Sequence, residues 1–230
     1  MKILFFKRKV LVWMLIIVLL CVSVAVFFGV RVVTAQPAVA KTIVIDAGHG
    51  GIDGGAEGKQ TGVYESDLNL KYALTLKKIC EEFGYRVVLT RSDMGGLYSP
   101  TADNKKKSEM QKREEIIRRA KPDFVVSLHM NSFSMSSTRG AHVFYAKDSV
   151  SGKTLAESVA NSLFDNVEYA HKEAKVGDYY VLNCTSAPSV LVECGFLSNP
   201  EEELLLQQEE YQNKFCYYIF CGILLYQKTM

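Results

Sequence analysis

Apolar runs and amphipathic stretches alternate along this chain and predict the order of its strands and helices. Five largely β-branched runs are typical of strands buried on both faces: residues 42–45, 85–90, 124–128, 141–146 and 189–192. The segments between and after them predict four helices, at residues 66–83, 108–120, 150–164 and 211–227. Ser66 is the expected cap of the first helix, and Asn199 with Pro200 predicts the start of a further one. This alternation favours an α/β fold, a single domain with a mostly parallel twisted sheet and helices on both faces.

The first forty residues differ in composition from the rest. Residues 10–30 form a run of 21 without a charge, long enough to cross a bilayer as one N-terminal transmembrane helix. Four basic residues precede the run and only Arg31 follows it, so the positive-inside rule places residues 1–9 in the cytoplasm as a basic stub. We therefore expect residues 31–40 to be a tether and residues 41–230 to be a membrane-anchored catalytic domain outside the cytoplasm.

A cleaved signal peptide is the alternative interpretation of the N-terminus. The small residues at 33–35 and 38–40 resemble cleavage sites, and cleavage would leave a secreted domain. The apolar run is longer than a signal core of about 7–15 residues, which favours the anchor.

Charge and cysteine spacing exclude several classes of function. The chain has 27 basic and 25 acidic residues, and the first forty residues hold five of the basic ones and no acid. Residues 41–230 therefore carry a formal charge of −3, and no basic stripe with interleaved aromatics predicts nucleic-acid binding. The six cysteines form no C-x-x-C pair, so neither a zinc ribbon nor a thioredoxin motif is predicted.

Four residues suited to metal chemistry stand at the ends of predicted elements. His49, His129 and Glu193 lie at or just past the end of a predicted strand, and Glu65 lies beside the first helix. The carboxyl ends of parallel strands share one edge of a sheet, where such side chains would gather. Two histidines and one glutamate are a known ligand set for catalytic zinc, and a further glutamate can be the general base. Taken singly, each histidine also fits an ordinary loop residue, and Glu65 fits a favourable charge at a helix N-terminus.

Longer motifs around these residues resemble a known family. They are IVIDAGHGGIDGGA from Ile43, E-x-D-L-N-L at 65–70, R-S-D at 91–93, SLHMNS at 127–132 and VLVECGFLSNPEE at 190–202. Over nearly all of residues 41–226 the chain resembles the zinc-dependent N-acetylmuramoyl-L-alanine amidases of the amidase-3 family. The resemblance implies one Zn²⁺ per chain, with His49, Glu65 and His129 as ligands and Glu193 as the catalytic residue. It also implies hydrolysis of the amide between the lactyl group of N-acetylmuramic acid and L-alanine of the peptidoglycan stem peptide.

Three further residues are weaker candidates for the site. Asp53 could orient His49 or shape the glycine-rich loop. Arg113 could hold a substrate carboxylate or pair with Glu109 on the same helix. Asn131 could support the metal ligands or cap the following loop. Two more histidines, His142 and His171, match no motif, and we predict structural roles for both.

The short, anchored architecture resembles the spore-cortex amidases of endospore formers. That resemblance implies removal of stem peptides as the first step toward muramic-δ-lactam, the mark that germination enzymes recognise. We expect targeting or metal retention to depend on the anchor or on an accessory protein. A catalytically silent peptidoglycan-binding scaffold and another zinc hydrolase of the cell wall, such as a peptidase or deacetylase, are the alternatives. The presence of all four site residues argues against the silent scaffold.

Overall fold

The structure, a computed structural model, describes residues 13–24 and 40–229 in two compact units that divide after residue 40. Residues 13–24 are helical. Within the two described ranges, no helix is both long and apolar enough to cross a bilayer. The predicted span at 10–30 lies partly outside the described residues. The basic stub and all of the tether except residue 40 lie wholly outside them.

The second unit is built on one six-stranded sheet with mixed strand directions. Its strands are β1 (Thr42–Ala47), β2 (Arg86–Leu89), β3 (Phe124–Asn131), β4 (His142–Tyr145), β5 (Lys175–Val176) and β6 (Ser189–Phe196), in the order β2-β1-β3-β6-β4-β5. The first four strands in that order run parallel. Strand β4 runs antiparallel to β6, and β5 pairs parallel to β4. Four of the six strands are therefore parallel, as expected, and the two strands at one edge run in the opposite direction. The ten residues between β3 and β4 contain no helix, too short a connection for the usual parallel crossover.

Helices cover both faces of the sheet, as predicted. They are α1 (Glu65–Glu82), α2 (Lys105–Ala120), α3 (Val150–Phe164), α4 (Pro200–Leu206) and α5 (Glu209–Gln227), with a 3₁₀ helix at Tyr180–Asn183. Alternate strand residues face opposite layers: Ile43 and Ile45 pack in the larger core with α1, α3 and α5, and Val44 packs toward α2 and the 3₁₀ helix. Strands β1 and β6 are fully buried, and β3 is buried except at His129 and Asn131, because both faces of these central strands are covered; β2, at the edge of the sheet, is only partly buried.

Two helix starts differ from the sequence prediction. Helix α1 begins at Glu65 after Tyr64 and has no side-chain cap, and the Ser66 hydroxyl contacts Asp67 instead. Helix α2 begins three residues earlier than predicted, because the Asn104 side chain accepts a hydrogen bond from the Lys107 backbone N–H. The predicted start of α4 is confirmed, with Asn199 as its cap and Pro200 at its first position.

Candidate active site

His49, Glu65 and His129 meet at the carboxyl edge of the parallel strands. One ligand atom from each of the three lies within 4.8 Å of the others. Glu65 Oε1 lies 3.1 Å from His49 Nε2 and 2.9 Å from His129 Nδ1. Two imidazole nitrogens and a carboxylate oxygen facing one point form a donor set that a divalent cation such as zinc could use.

The position of Glu65 is set by hydrogen bonds to both of its carboxylate oxygens. Oε2 accepts from the Ala56 N–H at 2.9 Å, and Oε1 accepts from the Met130 N–H at 3.2 Å. The fully buried Asn69, one turn along α1, donates to Glu65 Oε1 at 3.3 Å and to the Gly48 carbonyl at 3.1 Å. Asn69 therefore couples the carboxylate to the backbone just before His49. These contacts place the first residue of α1 against the ends of β1 and β3.

His49 occupies a sharp turn just after β1. Its φ of 58° lies in the left-handed region, which is uncommon for a residue other than glycine. Gly48 is needed beside it because a Cβ there would stand 2.2 Å from His129 Cε1. The turn places the imidazole at the edge of the sheet, where its ring centroid lies 5.1 Å from that of His129.

Two buried arginines hold the backbone of this turn. Arg91 donates to the carbonyls of Ala47 and Gly48, each at 3.0 Å, and to that of Ser66 at 2.7 Å. Arg113 donates to the carbonyls of Ala47 at 2.7 Å and His49 at 2.6 Å. Three successive carbonyls at the end of β1 are thus satisfied by guanidinium groups. The polar backbone of the turn can therefore stay buried.

Arg113 is also the centre of a buried ion-pair network. It lies 2.5 Å from Asp46 Oδ1 and 2.6 Å from Glu109 Oε1. Asp46 in addition accepts hydrogen bonds from Thr90 and Ser127. Only 2% of the surface of Arg113 is exposed, and its guanidinium pairs with Glu109, as one of the two predicted roles required.

Asp53 connects His49 to helix α2. Its Oδ1 lies 2.9 Å from His49 Nδ1, a short contact in which the N–H direction is poorly aligned with the carboxylate. Its Oδ2 accepts from Lys106 Nζ at 2.6 Å, and Oδ1 also accepts from the Gly55 N–H at 3.2 Å. Asp53 therefore shapes the glycine-rich loop and faces His49 at the same time.

Glu193 stands across from His129 in the paired strands β3 and β6. Its side chain is buried, and its Oε2 has no hydrogen-bond partner among residues 13–24 and 40–229. Burial raises the pKa of Glu193 to about 7; the charge of His129 opposes this rise, and that of Glu65 adds to it. A carboxyl that titrates near neutrality can both accept and return a proton.

The electrostatics of the ligand cluster differ from those of Glu193. Burial alone would raise the pKa of Glu65, but hydrogen bonds and charge from His129 and His49 outweigh burial and lower it. Burial would likewise lower the pKa of His49, but Glu65 and then Asp53 outweigh it and raise it. The two glutamates thus have opposite shifts: Glu65 stays ionised, whereas Glu193 exchanges a proton near pH 7. That division suits one ligand and one general base.

The site opens into a cleft of about 380 Å³. The ligand cluster and Glu193 line it, and α2 and the segment around the 3₁₀ helix form further walls: Lys106, Met110, Tyr179, Tyr180 and Val181. Asn131 also lines the cleft, but its Oδ1 accepts from the Ser132 N–H at 2.8 Å, as expected of a loop cap. His142 and His171 stack on each other with centroids 3.9 Å apart and do not line this cleft.

Sequence reasoning assigned no role to Asn69, Arg91 or Asp46. Asn69 and Arg91 lie within quoted motifs, but Arg91, and Asn69 in its contact with Gly48, bind backbone carbonyls that only the tertiary fold brings near. Asp46 had a usable signal, because a charged residue within an otherwise apolar buried strand requires a partner. Arg113 is that partner.

Comparison with known proteins agrees with this geometry. The profile of the amidase-3 family, described as N-acetylmuramoyl-L-alanine amidase, matches residues 43–224. The germination-specific N-acetylmuramoyl-L-alanine amidase of Bacillus subtilis (strain 168) is 31% identical over 194 residues, which cover 83% of this chain and 81% of that protein. Among solved structures, the CwlD amidase from Clostridioides difficile in complex with the GerS lipoprotein is 38% identical, with a TM-score of 0.79 over 83% of this chain and 100% of that one. The catalytic domain of CwlV from Bacillus (Paenibacillus) polymyxa var. colistinus is 32% identical, with a TM-score of 0.72 over 83% of this chain and 99% of that one. The chain therefore belongs to the amidase-3 family of N-acetylmuramoyl-L-alanine amidases, enzymes that act on peptidoglycan.

Proposed function

We propose that this amidase depends on one zinc ion held by His49, Glu65 and His129. The observation that carries the proposal is the convergence of three ligand atoms within 4.8 Å beside the buried, unpartnered Oε2 of Glu193. The set of two nitrogens and one oxygen is one that catalytic zinc commonly uses. Asp53 and Asn69 support this assignment, because each contacts a ligand side chain: Asp53 Oδ1 lies beside His49 Nδ1, and Asn69 donates to Glu65 Oε1.

Glu193 moves the protons of the reaction. When bound, zinc would polarise the scissile carbonyl and make a water molecule easier to deprotonate. Glu193 accepts a proton from the attacking water, whose oxygen bonds to the lactyl carbonyl carbon. The C–N bond then breaks, and Glu193 returns the proton to the departing amino group of L-alanine. The products are a lactyl carboxylate and a stem peptide with a free L-alanine amino end.

Product analysis tests this reaction. Purified peptidoglycan is incubated with the protein, with and without a chelator, and new amino ends, acetate and sugar amines are quantified. We expect chelator-sensitive appearance of L-alanine amino ends on intact stem peptides. Acetate and free sugar amines would instead identify a deacetylase, and amino ends of other residues a peptidase. A metal-loaded protein that releases nothing would be a silent scaffold.

We further propose that the substrate is spore-cortex peptidoglycan and that the reaction leads toward muramic-δ-lactam. Similarity to a germination-specific amidase supports this assignment. Deletion of the gene in the native organism is the test. Spores should then lack muramic-δ-lactam and retain stem peptides on muramic acid, and a normal lactam content would refute the cortex role.

Residues 10–30 are proposed to anchor the enzyme in the membrane, with the catalytic domain outside the cytoplasm. Support comes from the uncharged run of 21 residues and the basic residues before it. Membrane fractionation with protease protection distinguishes an anchored from a secreted domain. An accessory protein for targeting or metal retention is also proposed, because the similar CwlD amidase has been solved in complex with a lipoprotein. Full zinc occupancy and activity of the purified chain alone would argue against a required partner.

A further inference from the structure

The end of the domain opposite the active site carries exposed positive charge. Lys41 precedes β1, Arg86 opens β2, and Lys121 lies shortly before β3, so all three stand where parallel strands begin. Lys228 follows α5, next to Gln227, whose Oε1 accepts from Lys41 Nζ at 3.1 Å. All four basic side chains are exposed, and across residues 40–229 none of them has a carboxylate within ion-pair distance.

Nearby acids neutralise this charge only in part. Asp123 accepts a hydrogen bond from the Thr42 N–H at 2.7 Å and keeps its negative charge, and Glu81 lies 3.7 Å from Lys77. Arg118 and Arg119, at the end of α2, pair with acids one turn earlier on the same helix. Glu82 is also exposed, so Glu82 and Asp123 are two acids against these four cations. This end is therefore positive, although residues 41–230 as a whole carry a formal charge of −3.

Two large apolar side chains are exposed among these cations. Phe83, just past the end of α1, is 57% exposed, and one edge of its ring packs on Phe220 at a centroid distance of 4.8 Å. Leu225, in the last turn of α5, is 47% exposed. We define the basal surface by Lys41, Arg86, Lys121, Lys228, Phe83 and Leu225. Exposed aromatic and aliphatic side chains surrounded by lysine and arginine are typical of surfaces that lie in a membrane interface.

The chain enters the domain within this surface. Lys41 is the first residue after the segment 31–40, and ten residues can span at most about 36 Å when fully extended. The uncharged run 10–30 lies directly before that segment. A membrane anchor at 10–30 would therefore keep Lys41, and with it this surface, within that distance of the bilayer.

We propose that the basal surface docks on the anionic phospholipid bilayer in which residues 10–30 are anchored. The proposal rests on the anchor of the proposed function but not on the metal assignment. Because β1 runs from Lys41 to the turn that carries His49, its six residues place the ligand cluster roughly 20 Å from the basal surface. Docking therefore turns the cleft away from the membrane and toward the peptidoglycan.

Tryptophan fluorescence in the full chain tests this orientation. Trp13 is the only tryptophan, so a Trp13→Phe background allows one probe to be added at a time. Phe83→Trp places the probe on the basal surface. Phe133→Trp is the matched control, because Phe133 is similarly exposed (54%) and lies in the loop after β3 at the catalytic edge. Each protein is reconstituted into phosphatidylcholine vesicles that contain a brominated lipid, with or without phosphatidylglycerol.

We expect brominated lipid to quench the probe at position 83 about twofold in anionic vesicles and to leave the probe at position 133 unchanged. Substituting Lys41, Arg86, Lys121 and Lys228 with Gln should abolish the difference between anionic and neutral vesicles, since each cation strengthens binding about fivefold. Equal quenching at both positions, or none at position 83, would overturn docking and would leave a protein partner as the occupant of the surface. If quenching at position 83 is the same with and without phosphatidylglycerol and after the four substitutions, docking does not depend on the positive charge of the basal surface.

Vesicle flotation separates this result from failure of the anchor. A chain that does not float with the vesicles lacks the anchor, and the docking proposal falls with it. A chain that floats but shows no quenching at position 83 keeps the anchor and loses only the docking. Amide hydrolysis of soluble peptidoglycan fragments by the charge variant, at the unaltered rate, shows that the domain remains folded.

Discussion

Replacing Arg113 with methionine tests whether this guanidinium holds the active-site framework or contacts substrate. Methionine keeps much of the apolar stem but leaves Asp46 and Glu109 without their partner and removes two hydrogen bonds to backbone carbonyls. Breaking a buried ion pair by removing one partner typically costs about 3–5 kcal/mol. We expect Arg113→Met to lose at least about 3 kcal/mol of unfolding free energy.

Arg118→Met is the matched control on the same helix. Arg118 is 65% exposed and pairs with Glu114 at 2.8 Å, so its loss should cost under about 1 kcal/mol. Both variants are measured by denaturant unfolding of residues 41–230, in the presence of a chelator so that metal binding does not contribute. This unit contains both hydrophobic cores.

The acid dependence of stability gives a second, independent readout. Burial alone would raise the pKa of Asp46, but the charge of Arg113, with hydrogen bonds from Ser127 and Thr90, lowers it from 3.8 to about 2. Because the folded pKa lies below the unfolded one, the ionised carboxylate stabilises the fold above about pH 4, and this stability is lost as the pH falls toward 2. At about 1.36 kcal/mol per pKa unit the contribution is about 2 kcal/mol.

In Arg113→Met the pKa of the buried Asp46 should rise instead, so that acidification from pH 7 toward 4 stabilises the variant relative to the wild type. Arg113 does not hold the framework if the unfolding free energy of Arg113→Met lies within about 1 kcal/mol of the wild-type value, its acid dependence is unchanged and only KM rises. That outcome would assign Arg113 to substrate binding.

Three further substitutions test individual contacts. Glu193→Gln should lower kcat by about 10²–10⁴-fold while calorimetry finds unchanged zinc affinity, and turnover near the wild-type rate would remove Glu193 from the reaction. Asp53→Asn should weaken zinc binding by about 10–100-fold in a chelator competition, because His49 loses the carboxylate beside Nδ1; unaltered affinity would limit Asp53 to shaping the loop. Gly48→Ala places a Cβ 2.2 Å from His129 Cε1 and should abolish zinc binding while the core stays folded by circular dichroism, whereas normal binding would contradict the packing of this turn.

The sequence was sufficient to predict the edge at which the site forms. The apolar runs before His49, His129 and Glu193 predicted buried parallel strands, and the ends of such strands share one edge of a sheet. The position of Glu65 depended on the family resemblance, because a glutamate at a helix start has an ordinary electrostatic role. Its ligand geometry comes from long-range contacts, with the Ala56 and Met130 amides among them.

Other features were beyond local sequence rules for identifiable physical reasons. A serine cap was expected at Ser66, but tertiary hydrogen bonds from the Glu65 and Ser66 amides to the glycine-rich loop start the helix one residue earlier. The second helix was predicted from residue 108, yet the Asn104 cap and the contact of Lys106 with Asp53 place the three lysines at 105–107 in α2. Arg91 donates to backbone carbonyls, and so does Asn69 in its contact with Gly48; such partners carry no sequence signature.

The central claim is that a zinc ion at His49, Glu65 and His129 works together with Glu193. Its most direct test is a zinc titration of the metal-free protein in which bound zinc and stem-peptide release are measured on the same samples. We predict that release rises in proportion to bound zinc and saturates at one ion per chain, and that Glu193→Gln binds the same amount of zinc without release. Release by the metal-free protein, or undiminished zinc binding after Glu65→Gln, would contradict the account.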